Sequence, residues 1–452
     1  MSDEPPDKIV ISRQDLAAKR VDDVLSQQLS FGAPVAMAPP VKAAWYYKPW
    51  FVLTLAGGIG AFLAWAIIEP FFDDGVRIVG RIEEVDPQAA HAGAPLLGRL
   101  RVSGVTVWIL SKGGTLEVDG REEPLTAEKL KEGQVVEVLG EATDDGNATV
   151  LVARDVTVRY DAGTDLPKPD LEATQIRQLV AALLGFPLIA GFVGLAIACA
   201  DGLVSRAWSR AAVSALVGMA LGFGVGLVMT FVGGIAYAML SHLAQSLDTQ
   251  SEAMKMSTGA FLVQTMGRGV SWALIGIAMG MGQGIALRSK KLFINGLIGG
   301  VVGGLLGGLL FDPINYAMGG GQFARSADAS RAVGFTCIGL CTGLMIGIVE
   351  LIAREAWLKM LAGPLAGKEF ILYRDPTTIG SSPKREIYLF KDPDVEPEHA
   401  QIVKAGEGYE LVDKKSPAGT FVNGRKVTRQ RLRSQDQIRI GSTVLLFTMK
   451  ED

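Results

Sequence analysis

Apolar positions along this chain gather into long runs, and six of them approach the roughly 20 residues a helix needs to cross a hydrocarbon core about 30 Å thick. They fall at 50–68, 179–200, 211–240, 270–287, 292–311 and 332–351. The first starts too far from Met1 to be a cleavable signal peptide and reads as a retained anchor. The third is long enough to tilt or to project beyond the bilayer. Lys42 and Lys48 precede the first run, Arg206 and Arg210 join the second to the third, Arg288, Lys290 and Lys291 join the fourth to the fifth, and Arg354 and Lys359 follow the sixth. Basic residues stay on the cytoplasmic side. The pattern therefore predicts a multi-pass protein of the cell (inner) membrane, both termini cytoplasmic and residues 75–170 outside.

Between the first two runs the period changes to two. Residues 76–79 with Ile82 and Val85, then 100–110, 116–118, 135–139 and 150–158, read as strands. Gly113-Gly114, Asp119-Gly120, Gly133, Gly140 and Asp145-Gly146-Asn147 supply turns between them. A small extracytoplasmic β-barrel is expected, and 130–138 with Gly140 resembles barrels of the oligonucleotide/oligosaccharide-binding (OB) type. Its aromatics are nearly confined to Trp108 and Tyr160 and acidic residues abound, so a structural or protein-contacting barrel fits better than a stacking platform for bases.

The chain is 49% hydrophobic and only 20% charged, which is too apolar for an ordinary soluble enzyme. Its formal net charge of -3 offers no global attraction for nucleic acid. Cys199, Cys337 and Cys341 all lie in apolar runs, so neither a disulfide framework nor a zinc motif is available. His91, His242 and His399 fall in three different segments, and no nucleophile has a neighbouring base. No catalytic residue, metal site or cofactor is expected.

The apolar runs repeat. Gly191, Gly194 and Gly202 lead into Arg206 and Arg210 and a glycine-rich helix closing on Tyr237-Ala238-Met239; Gly276, Gly280 and Gly284 lead into Arg288 and Lys291 and a glycine-rich helix closing on Tyr316-Ala317-Met318. The sixth run, with Gly343, Gly347 and then Arg354, reads as a further half unit. In the fifth run Gly296, Gly300, Gly304 and Gly308 form one helical row and Gly299, Gly303 and Gly307 the next. Glycine costs roughly 1 kcal/mol per helical position, so this groove implies close backbone contact with another helix, within the chain, in a homo-oligomer, or lining a pore. As drawn, the second to fifth runs hold no Asp, Glu, Lys or Arg, which disfavours a coupled transporter.

After the sixth run a helix-like 350–360 passes through Gly363-Pro364 and Gly367 into a polar, strand-rich segment. Five marks stand there in order: Thr378-Ile379-Gly380-Ser381-Ser382, Glu386-Ile387-Tyr388-Leu389, Val395-Glu396-Pro397-Glu398-His399-Ala400, Gly419-Thr420-Phe421-Val422-Asn423-Gly424 and Asp436-Gln437-Ile438-Arg439-Ile440-Gly441. This segment resembles a forkhead-associated (FHA) domain, and the whole resembles FHA-bearing multi-pass membrane proteins of bacteria. The resemblance implies a β-sandwich of about 11 strands that docks phosphothreonine peptides. The departures fall on the phosphate site: Ser381 stands where the family usually places Arg, Glu396 where it places Ser, and Ala418 where it places a polar residue such as Asn. Ser381, Ser382, Lys384, Arg385 and Asn423 remain as candidates for binding a partner or phosphopeptide.

The chain thus divides into a tail at 1–48 with one short amphipathic helix, a first span at 49–69, an OB-like β-domain at 75–170, a five-helix glycine-rich region at 176–353, a linker at 354–367 and an FHA-like domain at 368–452. The expected function is that of a non-enzymatic membrane adaptor or scaffold, in contact with lipid, that recruits cytoplasmic protein through the FHA-like domain. The alternative is a channel or transport component with that domain as its regulatory handle.

Overall fold

The computed structural model describes residues 44–71, 76–89, 96–110, 115–118, 121–144, 149–159, 171–247, 257–318 and 328–450. The amphipathic helix expected in the N-terminal tail lies outside them. The chain forms two compact units, Lys48–Ala353 and Arg354–Asp452, the latter with the segment ending at Tyr47.

In the first unit, α1 (Pro49–Ile68) precedes a strand domain, and α2 (Leu171–Val204), α3 (Trp208–Leu247), α4 (Thr258–Ala286), α5 (Lys290–Met318) and α6 (Asp328–Ala353) follow it. All six are long and apolar enough to cross a membrane. Each packs on the next in sequence, and α6 returns to α1, closing a ring. The sixth run is therefore not a helix left over from a pairing scheme. Its partner is α1, where a Cβ on Gly339 would strike the Gly57 carbonyl and one on Gly343 the Leu53 carbonyl.

The turns α2–α3 and α4–α5 are built alike. Arg206 and Arg288 adopt positive φ, of 56° and 50°. The Ala207 N–H donates to Gly202 O (2.8 Å) and the Arg206 N–H to Leu203 O (3.0 Å), just as the Ser289 N–H donates to Gly284 O (2.9 Å) and the Arg288 N–H to Ile285 O (3.1 Å). This pair of bonds is a Schellman cap with arginine where glycine is usual.

The helices run further than the apolar runs, and this corrects the expectation of spans free of charge. Arg268 lies within α4 and Asp312 within α5, and they form an ion pair of 2.8 Å in which Asp312 is almost wholly buried. Arg268 also donates to the Tyr237 hydroxyl of α3 at 3.1 Å. Glu69 and Arg331 make a second pair at 2.5 Å, joining the end of α1 to α6. A buried cation and anion are tolerated in such a setting because each neutralises the other.

The strand domain consists of β1 (Val76–Asp86), β2 (Leu96–Val102), β3 (Val105–Leu110), β4 (Thr115–Val118), β5 (Arg121–Pro124), β6 (Val135–Asp144) and β7 (Thr149–Val158). The sheet order is β3-β2-β1-β6-β7-β4-β5, and a further β3–β7 pairing closes five strands into a barrel. That closure is parallel, with Val107 opposite Leu151, and the connectivity is the Greek key of OB-type barrels. Ile78, Leu100, Val107, Val136, Val138 and Leu151 fill the interior. Residues 100–110, read as one strand, are instead a hairpin turning at Ser103 and Gly104, both at positive φ.

The second unit is a sandwich of eleven strands: β8 (Ala356–Ala362), β9 (Glu369–Ile371), β10 (Thr377–Gly380), β11 (Ile387–Tyr388), β12 (Ala400–Ala405), β13 (Gly408–Asp413), β14 (Thr420–Val422), β15 (Arg425–Val427), β16 (Arg429–Leu432), β17 (Gln437–Ile440) and β18 (Thr443–Met449). One sheet has the order β11-β10-β12-β13-β16, the other β15-β14-β17-β18-β8-β9. Their inner faces meet through Leu358, Met360, Ile379, Ile402, Leu411, Ile438, Leu445 and Phe447, all essentially inaccessible. The linker expected at 354–367 is corrected by β8. This strand pairs with β18 from Ala356 opposite Met449 to Ala362 opposite Val444, so the sandwich starts two residues after α6. Those two residues are also tied in, since Arg354 pairs with Glu369 (2.7 Å) and the Lys450 N–H donates to Glu355 O (2.8 Å).

Candidate functional site

At one end of the sandwich three loops converge on a single buried histidine. β10 ends at Gly380, β12 begins at Ala400 and β13 ends at Asp413, and the antiparallel register aligns these positions. His399 is wholly inaccessible. Its Nδ1 accepts the Glu396 N–H at 3.2 Å, which leaves the proton on Nε2, 3.4 Å from the Gly419 carbonyl. The Ser381 N–H donates to Glu396 O at 2.9 Å. One imidazole thereby fastens the loop before it to the loop after β13, while the backbone of 381 fastens the third. Gly380 is required here, because a Cβ would press on the Pro397 carbonyl.

The loop after β13 is braced from below. Asp413 accepts from the Ser416 hydroxyl at 2.6 Å, the Ser416 N–H at 3.1 Å and the Thr420 hydroxyl at 2.7 Å. Burial works to raise the Asp413 carboxyl, but the donations from Ser416 and Thr420 override it and hold the group below its ordinary value. A depressed carboxylate contributes its stability in full above the unfolded value near ~4 and loses it as pH falls through the folded value. The melting temperature of the sandwich is therefore expected to fall on acidification below about pH 4, and less steeply in Asp413→Asn; a pH series of thermal melts checks both.

Ser381, Ser382, Lys384 and Arg385 lie together in the β10–β11 loop. Ser382 Oγ accepts the Lys384 N–H at 3.4 Å, and the Lys384 side chain is exposed. Arg385 is occupied: its guanidinium pairs with Glu398 at 2.8 Å and donates through Nε to the Pro397 carbonyl at 3.2 Å. Asn423 is not brought to this loop. It sits in the β14–β15 turn, where Nδ2 donates to Asp436 at 2.8 Å and Oδ1 accepts the Gln437 N–H at 2.9 Å, at the end of β14 away from Thr420. Lys426 went unnoticed in the sequence. Its side chain lies over Gly419, with Nζ 2.8 Å from where a Cβ would stand, a cross-strand placement that no local motif signals.

The loop end thus offers hydroxyls and separate ammonium groups but no free guanidinium fork and no amide at Ala418. Such a surface can grip an extended peptide, yet it lacks the bidentate geometry that makes phosphate recognition strong. Among the described residues no group of three or more His, Cys, Asp or Glu could hold a metal ion.

Comparison with known proteins finds relatives of this sandwich. Residues 359–451 match the family described as the inner membrane component of T3SS, cytoplasmic domain. The chain is 36% identical over 101 residues to an oxoglutarate dehydrogenase inhibitor of Corynebacterium jeikeium, which covers 22% of this chain and 69% of that protein. It is 32% identical over 126 residues to the glycogen accumulation regulator GarA of Mycolicibacterium smegmatis, covering 28% and 75%. A solved domain studied for phosphothreonine-dependent FHA interactions is 26% identical, with a TM-score of 0.21, over 22% of this chain and 100% of that one.

Proposed function

The chain belongs to the family of forkhead-associated domain proteins through its C-terminal sandwich, and from that premise we propose that it is a membrane-anchored adaptor of the inner membrane. The sandwich recruits a cytoplasmic protein, the six helices hold that protein at the bilayer, and the OB-like barrel works on the opposite side. The observation that carries this reading is the two-residue join between α6 and β8, which makes an interaction module inseparable from an apolar bundle. The match to a cytoplasmic domain of an inner-membrane component supports the same assignment of sides.

Docking at the loop end ignores phosphorylation, because Ser381, Glu396 and Ala418 supply none of the strong donors and Arg385 is engaged by Glu398. Each charge-assisted bond to a phosphate is worth roughly 1.5–3 kcal/mol, so their joint loss removes most of the preference for a phosphorylated partner. A partner's phosphothreonine would also have to come from another chain. The segments read as cytoplasmic ahead of the sandwich, residues 1–48, 201–210 and 288–291, hold no threonine.

A conduit finds less support. Phe186, Trp272, Phe311 and Phe335 pack edge-on or tilted against one another at centroid separations of 5.5 to 6.4 Å within the apolar core of the helical unit.

Sided labelling tests the arrangement. Cysteine introduced at Glu123 is expected to react from outside the cell, and cysteine at Lys414 only after permeabilisation, since five of the six helices lie between them. Reaction of both from one side would overturn the adaptor topology.

A further inference from the structure

Beyond the loop end, a strongly basic surface is formed by the run Arg425-Lys426-Val427-Thr428-Arg429-Gln430-Arg431-Leu432-Arg433. It forms β15 and β16, the free edge of one sheet followed by the free edge of the other, so it wraps one flank of the sandwich. All five cations are exposed. Arg429 pairs with Glu410 at 2.5 Å; Arg425, Lys426, Arg431 and Arg433 make no ion pair among the described residues. A single edge lysine suffices to discourage sheet-to-sheet pairing. Four uncompensated cations on adjoining edges exceed that need.

The strand register shows which end of the sandwich they occupy. Ala356, where the chain arrives from α6, lies opposite Met449. The same end passes through Leu446 opposite Gln437 and Ile438 opposite Val422 to Arg425. In the other sheet Glu355 contacts Lys404 (3.1 Å) and Tyr409 (3.4 Å), and Tyr409 lies opposite Leu432, flanked by Arg431 and Arg433. Arg425, Arg431 and Arg433 therefore collect at the end of the sandwich where the chain enters, opposite the His399 loops. Two residues span no more than about 7 Å.

We propose that this basic flank binds the anionic phospholipid headgroups of the leaflet from which α6 emerges. The inference rests on the reading that the helices span a membrane. Clustered lysine and arginine beside a span are drawn to anionic lipid within a screening length. The short connection keeps the lipid at a high effective concentration, an advantage that a diffusing acidic protein lacks.

The test uses the full chain in nanodiscs, with the three cysteines replaced, a fluorophore on Gln430→Cys, and a quencher on the lipid headgroup. Quenching is expected to rise severalfold when phosphatidylglycerol is added to phosphatidylcholine. It should fall back at high ionic strength, and also in Arg425→Glu/Arg431→Glu/Arg433→Glu. The salt arm needs no substitution, so it decides the matter even where the triple variant misfolds. Equal quenching in both lipids would overturn the proposal, as would a response to soluble polyglutamate with none to phosphatidylglycerol. Because nanodiscs expose both faces, a wrong assignment of sides would show in the sided labelling and not here.

Discussion

Gly300→Leu is expected to abolish the folded helical unit. A Cβ at this position would overlap the carbonyl oxygen of Gly276 and press on its carbonyl carbon. Both obstacles are backbone, so no rotamer change relieves them, and α4 and α5 would have to separate. Separation would also undo the neighbouring contacts, Gly296 on Gly280 and Gly304 on Trp272, that follow the same row. The adjacent row is occupied as well, with Gly299, Gly303 and Gly307 against Ile346, Thr342 and Ile338 of α6. Both rows are thus covered within one chain. The cost should exceed the 1–3 kcal/mol typical of overpacking, and the variant should aggregate or lose its melting transition in detergent. Gly224 on α3 supplies the contrast, since nothing lies within 4 Å of its Cβ position. Gly224→Leu is expected to leave assembly intact and to gain up to about 1 kcal/mol of helix propensity. Size-exclusion profiles and thermal melts of the two variants side by side check the pair.

His399→Ala should have the next largest effect, confined to the sandwich. The side chain is wholly buried and holds two backbone groups, the N–H of Glu396 and the carbonyl of Gly419. Alanine removes both partners and leaves a cavity where the ring stood. An orphaned buried polar group costs about 1–3 kcal/mol, and the cavity adds to it. A loss of about 3 kcal/mol is expected, read as a lowered transition of the sandwich alone. The exposed Lys384→Ala, in the adjacent loop, should leave that transition within about 0.5 kcal/mol of wild type.

How much of this was visible beforehand depended on whether a feature is local. The six long apolar helices were legible because an apolar run of helical length has few other interpretations, and the five FHA marks because each sits at a turn or inner strand position with a fixed role. β8 was not legible. Its residues Trp357, Leu358, Lys359, Met360 and Leu361 suit a helix as well as a strand, and only pairing with β18, at the far end of the domain, makes them extended. The Arg268–Asp312 pair is not legible because charged residues normally end an apolar run, whereas here the helices continue through them and each charge is neutralised by its neighbour. The hairpin at Ser103-Gly104 was hidden within an apolar stretch, with serine in a backbone region that glycine or asparagine usually announces. Arg385 stands among the binding candidates in the sequence because its partner Glu398 belongs to another loop.

The claim that the FHA-like sandwich docks its partner without reading phosphate is tested most directly by panning the full chain against an oriented library of phosphothreonine peptides and its unphosphorylated counterpart. No sequence is expected to be enriched by phosphorylation as much as tenfold, about 1.4 kcal/mol. Enrichment above tenfold that disappears in Lys384→Ala or Lys426→Ala would contradict it, and would show that a lysine of the β10–β11 loop or the one over Gly419 replaces the missing arginine.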